Sequence, residues 1–348
     1  MKRKLLTIGG VLLACIVFFG ALYAVSRLVA PKYRDTPEGR LAGEYYGETT
    51  DHDVLFIGDC EVFEHFSPVT LYEEYGITSF IRGGAQQLVW PSYYLLEDAL
   101  KTETPKVVVF NVLSLKYGEP QSEAYNRLAL DGMRWGSAKI GAIKASMTEG
   151  EDFLSYVFPL LRYHDRFDKL TAEDWEYWFS DGEPVSFKGY VMHTGVKPVT
   201  KLPTPPALTE PRLPESSMAW LEKIAALCES KGIALVLIKS PSVYPHWYDE
   251  WDAEIEAFAA SQGLRYDNMI AENDEIGIDL TTDTYDQGQH LNVFGAEKLS
   301  RWFGAVLQEA YDLPDHRGEA AYDADYAALS ARYEAEKQRL LESEENGK

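Results

Sequence analysis

The sequence is poor in cysteine. Three cysteines in 348 residues are too few for a disulfide framework. Cys15 lies in an apolar N-terminal segment, and Cys228 shares one face of a predicted helix with Ile224, which is typical of a core residue. A Cys60–Cys228 disulfide stays open as an alternative, and it requires matched geometry of the two side chains. Cys60 is therefore the cysteine whose role the sequence leaves to be explained.

Positive charge is also scarce. The chain has 33 lysines and arginines against 55 aspartates and glutamates, a net charge of -22. The first thirty residues hold four of the basic residues and no acidic ones, so the rest of the chain is more acidic still. Such a surface repels nucleic acid and anionic lipid headgroups, which excludes nucleic-acid binding as the main function. The 46% of hydrophobic residues nevertheless supplies a sizeable globular core.

Charge is absent altogether from Leu5 to Ser26, a stretch of 22 residues. A helix of about 20 residues crosses a bilayer, whereas the apolar part of a secretory signal is usually about 7–15 residues long. We therefore expect residues 1–30 to form a single-pass, uncleaved membrane anchor. Basic residues precede the segment and an acidic domain follows it, so the N-terminus is expected in the cytoplasm and the main domain outside.

A lipoprotein is the alternative reading of the same segment. The letters "LLAC", ending at Cys15, are similar to a bacterial lipoprotein cleavage box, which would leave Cys15 lipidated. The strongly apolar residues from Ile16 to Ala24 favour the membrane helix instead. Either interpretation tethers an outward-facing domain to a membrane, so a freely secreted enzyme is not expected.

Short apolar runs alternate with helical patterns from residue 53 onward. "DVLFIG", "ITSFIRGG", "KVVVFNV", "IALVLIKSP" and "LRYDNM" predict strands, and amphipathic segments lie between most of them. Several of these strands lack alternation, which is typical of strands buried on both faces. The pattern predicts an α/β fold, a three-layer α/β/α sandwich with a mainly parallel sheet, over residues 53–312.

Three other segments complete the predicted organisation. Residues 31–52 are polar and predict a stalk, and residues 118–215 interrupt the alternation as a helical, aromatic and proline-rich insertion expected to cap the active face. Residues 313–348 predict a charged C-terminal helix packed lightly on the domain. Its apolar side has these residues at helical spacing: Tyr322, Tyr326, Leu329 and Tyr333.

Residues that follow the strands are the candidates for chemistry, because ligands bind at the carboxyl ends of parallel strands. A nucleophile needs a nearby base, the base needs a carboxylate to hold its tautomer, and an oxyanion needs N–H donors. Cys60, His290 and Asp286 could supply the first three roles, and Gly84 and Asn111 the donors. Residues that could line the substrate cleft are Asp59, Gln86, His164, Arg166 and Lys239. No metal or cofactor is expected.

Four short motifs make this sequence resemble the SGNH (GDSL-like) hydrolase superfamily. The motifs are "IGDCEV", "RGGAQQ", "FNVLS" and "DQGQHLNVFGAEKLS". Together with the anchor, they are most similar to the extracytoplasmic branch that works beside membrane-bound O-acyltransferases in teichoic-acid D-alanylation and in alginate or peptidoglycan acetylation. The resemblance implies acyl transfer or ester hydrolysis on a cell-envelope glycopolymer, with a membrane-bound O-acyltransferase as partner.

The sequence departs from that family in three blocks. No Gly-x-Asn-Asp pattern fits the third block, where only Asn111 survives. Cys60 occupies the place of the usual nucleophilic serine, which implies a thioester route, and its acidic neighbours would raise the thiol pKa. The family places an aspartate three residues before the histidine, but this chain has Gln287 there. Asp286 and Asp283 therefore both remain candidates to orient His290. A non-catalytic envelope scaffold that keeps the fold is the alternative function.

Overall fold

The computed structural model describes residues 2–30, 37–179 and 183–346 of the chain. Its sheet has five parallel strands in the order β2-β1-β3-β4-β5. The strands are β1 (Val54–Gly58), β2 (Ser79–Gly83), β3 (Val107–Asn111), β4 (Ala234–Lys239) and β5 (Arg265–Asn268). The predicted α/β class with a parallel sheet is confirmed.

Fifteen α-helices occur within the described residues. They are α1 (Lys2–Val29), α2 (Pro37–Glu44), α3 (Cys60–Phe63), α4 (Pro68–Tyr75), α5 (Val89–Ala99), α6 (Glu123–Gly132), α7 (Ser137–Ser146), α8 (Phe153–Val157), α9 (Leu160–Tyr163), α10 (Ala172–Phe179), α11 (Glu215–Lys231), α12 (Asp249–Gln262), α13 (Asn273–Ile276), α14 (Val293–Ala310) and α15 (Ala320–Asn346). Short 3-10 helices lie at Tyr45–Gly47, Val112–Lys116 and His164–Lys169.

Helices cover both faces of the sheet, which explains why the strands lack alternation. Val54 and Phe56 of β1 belong to one apolar cluster, while Leu55 and Ile57 belong to another on the opposite face. All four side chains are fully buried. Successive side chains of a strand point to opposite faces, so a strand covered twice must be apolar at every position.

The region predicted as a stalk differs from the expectation. Residues 31–36 lie outside the described residues, but Pro37–Glu44 forms helix α2 and contacts α6. Leu41 and Tyr45 are buried in the two main apolar clusters. Their burial stabilises this segment as part of the domain, so it is not an extended linker.

The insertion also differs from a simple cap and divides into two parts. Helix α7 packs against α5 and the later helices approach α1, so these helices stand beside the domain. The coil that follows residue 183 runs past the carboxyl ends of the strands. There the N–H of Val191 donates to the carbonyl of Phe63, and the N–H of Val293 donates to that of His193.

The C-terminal helix α15 packs more firmly than predicted. Tyr326 and Tyr333 are 1% and 2% exposed. The Tyr326 ring stacks on Tyr72 of α4 with 3.8 Å between ring centroids, and its hydroxyl accepts a hydrogen bond from the N–H of Ser79. Tyr326 and Tyr333 are therefore core residues of the domain, while Tyr322 is half-buried at its edge.

Helix α1 is the described helix that is long and apolar enough to cross a membrane. It runs from Lys2 to Val29, and its first twenty residues are exposed to solvent wherever they are described. An N-terminal apolar helix of this kind serves either as a membrane anchor or as a signal sequence.

Candidate active site

Cys60 lies at the carboxyl end of β1, where a sharp turn leads into α3. Gly58 has a φ of 155°, and a Cβ there would lie 3.1 Å from Cβ of Asn111, so glycine suits both the conformation and the space. Asp59 is the N-cap of α3 and its side chain accepts a hydrogen bond from the N–H of Glu61 at 3.2 Å. This turn presents Cys60, half-buried, at the edge where the strands end.

The surroundings of Cys60 favour the neutral thiol. Burial and the carboxylates of Asp59, Glu64 and Glu61 raise its pKa well above the ordinary value of a thiol. Anions near a sulfur oppose formation of the thiolate. Cys60 would therefore act as a nucleophile only if a base removed its proton as it attacked.

His290 is held by Asp286 in the loop before α14. The Nδ1 of His290 lies 2.6 Å from Oδ2 of Asp286, and the N–H of His290 donates to Oδ1 at 2.8 Å. A carboxylate at that distance accepts a hydrogen bond from Nδ1–H, which leaves Nε2 as the basic atom. Nε2 is buried and has no hydrogen-bond partner among the described residues.

The loop geometry explains the four-residue spacing between the two side chains. Gln287 and Gly288 both have positive φ, 72° and 89°, so the chain makes a tight reversal that returns His290 to Asp286. The hydroxyl of Thr284 supports this turn by donating to the carbonyl of His290 at 2.8 Å. The turn thus accommodates a spacing of four residues between Asp286 and His290, one more than the spacing of three.

Asp283 is engaged elsewhere. Its Oδ2 accepts hydrogen bonds from Nζ of Lys298 at 2.6 Å and from the N–H of Asp279 at 2.8 Å. Of the two aspartates that the sequence left open, the structure brings Asp286 to His290.

The carboxylates of Asp286 and Glu64 favour the protonated form of His290. Burial alone would lower its pKa, but the hydrogen bond to Asp286 and the negative charge of Glu64 together raise the pKa above its ordinary value. Oε2 of Glu64 lies 3.6 Å from Nδ1 of His290, and Glu64 also accepts a hydrogen bond from the Tyr285 hydroxyl. Glu64 follows Cys60 by one helical turn, so it links α3 to the histidine.

Asn111 makes different contacts from those expected of an oxyanion donor. Its Nδ2 donates to Oδ1 of Asp59 at 3.0 Å and to Oε2 of Glu61 at 2.9 Å. Its Oδ1 accepts from the N–H of Ser240 at 3.2 Å. Both amide hydrogens are therefore already used to hold carboxylates beside Cys60.

Lys239 completes this buried network. Its Nζ lies 2.8 Å from Oε1 of Glu61, and both side chains are at most 1% exposed. The hydroxyl of Ser242 donates to the same carboxylate at 2.5 Å. Lys239 thus compensates a buried charge under the Cys60 turn, and it does not line an open cleft.

Residues of the glycine motif after β2 also form hydrogen bonds within the protein. The N–H of Gly84 donates to the carbonyl of Gly58 at 3.3 Å, which ties the second strand end to the first. Gln86 is exposed with a φ of 49°, while its neighbour Gln87 is buried and donates to the carbonyl of Arg82 at 3.0 Å.

His164 and Arg166 lie away from the strand ends. His164 is exposed, and Nη1 of Arg166 donates to the last carbonyl of α1, that of Val29, at 3.0 Å and to the carbonyl of Ala30 directly after the helix at 2.6 Å. These two residues belong to the surface around α1, so the structure does not bring them to the cleft.

Sequence reasoning missed two side chains near His290. His65 is fully buried, its Nδ1 lies 2.7 Å from Oγ of Ser240, and its ring centroid is 5.9 Å from that of His290. Burial lowers the pKa of His65 well below its ordinary value, so this ring is neutral. His65 and Glu64 follow Cys60 within five residues, and that proximity in sequence was the available indication.

Comparisons with known proteins give a structural likeness at low sequence identity. No family model matches the chain, and no curated protein matches it. A candidate acylhydrolase from Bacteroides fragilis is similar, with 10% identity over 77% of this chain and 94% of that one, at a TM-score of 0.37. A GDSL-like lipase from Bacteroides thetaiotaomicron has 12% identity over 78% and 97%, also at 0.37.

Proposed function

We propose that this protein transfers or hydrolyses acyl groups through Cys60, with His290 as the base and Asp286 as the carboxylate that orients it. The observation that carries the proposal is the His290–Asp286 pair: Nδ1 is bound to a carboxylate, and the buried Nε2 has no hydrogen-bond partner among the residues that the structure describes. A histidine prepared in this way is what covalent acyl chemistry requires of its base.

The proposed reaction has two steps. The Cys60 sulfur attacks the carbonyl carbon of an ester, its proton passes to Nε2 of His290, and the same proton then goes to the departing alcohol. A thioester on Cys60 results. An acceptor hydroxyl or water next attacks the thioester carbon and gives its proton to His290. The C–S bond breaks, the new ester or acid leaves, and His290 returns the proton to the sulfur, which restores the thiol.

The high pKa of the thiol determines how the first step must proceed. Because Asp59, Glu61 and Glu64 disfavour a thiolate, the proton must leave during the attack. The raised pKa of His290 suits that role, because the Cys60 thiol is a weak acid and a stronger base removes its proton more readily. The proposal gives Asn111 and Gly84 the role of positioning the strand ends, because their N–H groups already donate within the protein.

The setting of the reaction is part of the same proposal. The uncharged run of α1 supports a single-pass anchor with a cytoplasmic N-terminus and an outward-facing domain. The family resemblance of the motifs leads us to propose a cell-envelope glycopolymer as acyl acceptor and a membrane-bound O-acyltransferase as the partner that supplies the acyl group.

Trapping the thioester tests the proposal directly. The full chain in detergent is treated with an activated acetyl ester, digested, and analysed by mass spectrometry for acetyl groups on each cysteine. We expect acetylation of Cys60 that hydroxylamine removes and that His290→Ala suppresses, with Cys228 unmodified as the internal control. An unmodified Cys60 in a folded wild-type chain would falsify the proposal.

A non-catalytic scaffold is the second candidate, favoured by the same network. The N–H groups of Asn111 and Gly84 already donate within the protein and the thiol is held neutral, as a purely structural turn would allow. The scaffold predicts that Cys60→Ala leaves envelope acylation in cells unchanged at normal protein levels, whereas removal of residues 1–30 abolishes it.

A further inference from the structure

The segment that surrounds the end of α1 contacts it at several levels. We call residues 153–179, which include α8, α9 and α10, the collar. The Phe158 ring lies on Phe19 with 6.3 Å between centroids, and Nε1 of Trp178 donates to the carbonyl of Ala24 at 3.2 Å. Nearer the end of α1, Arg166 donates to the carbonyl of Val29 at 3.0 Å.

The length of α1 fixes the depth of these contacts if the helix spans a bilayer. Twenty helical residues cover about 30 Å, the thickness of the hydrocarbon core. Counted from Leu5, the first residue after the basic cluster, the outer boundary falls at Ala24. Phe19 then lies about 7.5 Å inside that boundary and Val29 about 7.5 Å outside it.

The side chains of the collar are ordered as that boundary requires. Phe158, purely apolar, is at the deepest level, Trp178 is at the boundary, and the charged Arg166 is outermost. Tryptophan is enriched at membrane interfaces, and arginine places its charge on the aqueous side. Phe158 cannot contact Phe19 at that depth unless the collar itself enters the lipid.

Large apolar side chains of the collar remain exposed within the described part of the chain. Four of them are about half exposed, at 50–53%: Leu154, Leu161, Phe167 and Trp175. The collar holds three basic and five acidic residues, a net charge of -2. Two of its arginines are paired, Arg162 with Glu123 at 3.1 Å and Arg166 with Asp174 at 3.4 Å. An apolar surface with a small negative charge gains nothing from anionic headgroups and suits lipid whose headgroups carry no net charge.

We propose that the collar is a second membrane-binding element, which lies in the outer interface of a phospholipid bilayer beside α1. The proposal rests on α1 acting as an anchor, which is part of the proposed function. It makes the attachment of the domain rigid, because the protein then contacts lipid through α1 and through the helices packed around it. The surface would orient the strand ends relative to the membrane.

Tryptophan fluorescence can test this placement, because residues 1–30 contain no tryptophan. The full chain is reconstituted in phosphatidylcholine vesicles with or without brominated acyl chains, whose bromine atoms quench tryptophans in contact with lipid. We expect quenching in the wild type, and we expect Trp175→Phe together with Trp178→Phe to remove at least about half of the quenchable fluorescence. Trp175→Phe alone, which leaves the Trp178 hydrogen bond intact, should remove part of it.

Trp302→Phe is the matched control, because Trp302 is half-buried on α14, which packs against α4 and α13. Equal quenching in the wild type and the double variant, or none in either, would overturn the collar proposal if the protein still resists carbonate extraction. Such a result would leave this surface to a protein partner or to water. Release by carbonate would instead overturn the anchor and so the proposed location.

Discussion

Oδ2 of Asp286 lies 2.6 Å from Nδ1 of His290, although the aspartate is four residues before the histidine and not three. The reversal at Gln287 and Gly288, both with positive φ, makes this contact possible. Because Nδ1 of His290 donates its hydrogen to Asp286, Nε2 is the nitrogen that can accept a proton.

Asp286→Asn should slow acetylation of Cys60 by about 10²–10⁴-fold, because an amide no longer fixes the tautomer of His290 or stabilises its protonated form. The pH midpoint of the reaction should also fall, since the carboxylate raises the pKa of His290 and the neutral ring is the base. Rates across pH 5 to 9 measure both effects. Asp283→Asn, which removes the contact to Lys298, should leave the midpoint unchanged; a shift there would contradict the assignment.

Alkylation of Cys60 by iodoacetamide should have a midpoint above that of a free thiol, about pH 8.5, because burial and three carboxylates raise the thiol pKa. Glu64→Gln should lower that midpoint by removing one nearby negative charge. Peptide mass spectrometry after timed labelling measures it site by site. Cys228 provides a reference, since burial raises its pKa to about 12. A Cys60 midpoint below that of a free thiol, about pH 8.5, would mean that the thiolate forms before attack.

Lys239→Met should destabilise the domain by about 3–5 kcal/mol, because it leaves Glu61 buried without a compensating charge. Thermal unfolding in detergent, followed by near-UV circular dichroism, measures the loss. Lys101→Met is the matched control: that lysine is exposed, and its effect should stay within about 0.5 kcal/mol. Equal effects of the two variants would argue against the buried network.

Tyr326→Ala should cost about 3–5 kcal/mol, since it removes a fully buried ring stacked on Tyr72. Tyr322→Ala, on the same helix but only half-buried, should cost clearly less. The same unfolding experiment compares them. If Tyr326→Ala were as mild as Tyr322→Ala, α15 would be a loosely attached helix, as its charged sequence first indicated.

The local features of the sequence predicted the sheet well. The runs "DVLFIG" and "KVVVFNV" contain β1 and β3, and their lack of alternation predicted burial on both faces. Local patterns succeed there because a doubly covered strand must be apolar at each position. The tyrosines of α15 were also visible at helical spacing, but how deeply they pack depends on α4, which is distant in sequence.

The sequence predicted which residues belong to the candidate site better than it predicted the role of each residue. Strand-end position brought Cys60, Asn111, Lys239 and His290 into consideration, because parallel strands collect their carboxyl ends at one edge. Whether Asn111 faces an oxyanion or two carboxylates depends on hydrogen bonds across β1 and β3. Spacing along the chain carries no information about such contacts.

The sequence by itself determined the apolar helix at the N-terminus, the parallel α/β sheet and the set of residues at the strand ends, since these follow from composition and periodicity along the chain. Only the tertiary structure decided that Asp286 holds His290, that Lys239 compensates Glu61, and that Arg166 caps α1. Each of those outcomes joins atoms from elements or turns whose relative placement is set by packing, and packing depends on the whole chain at once.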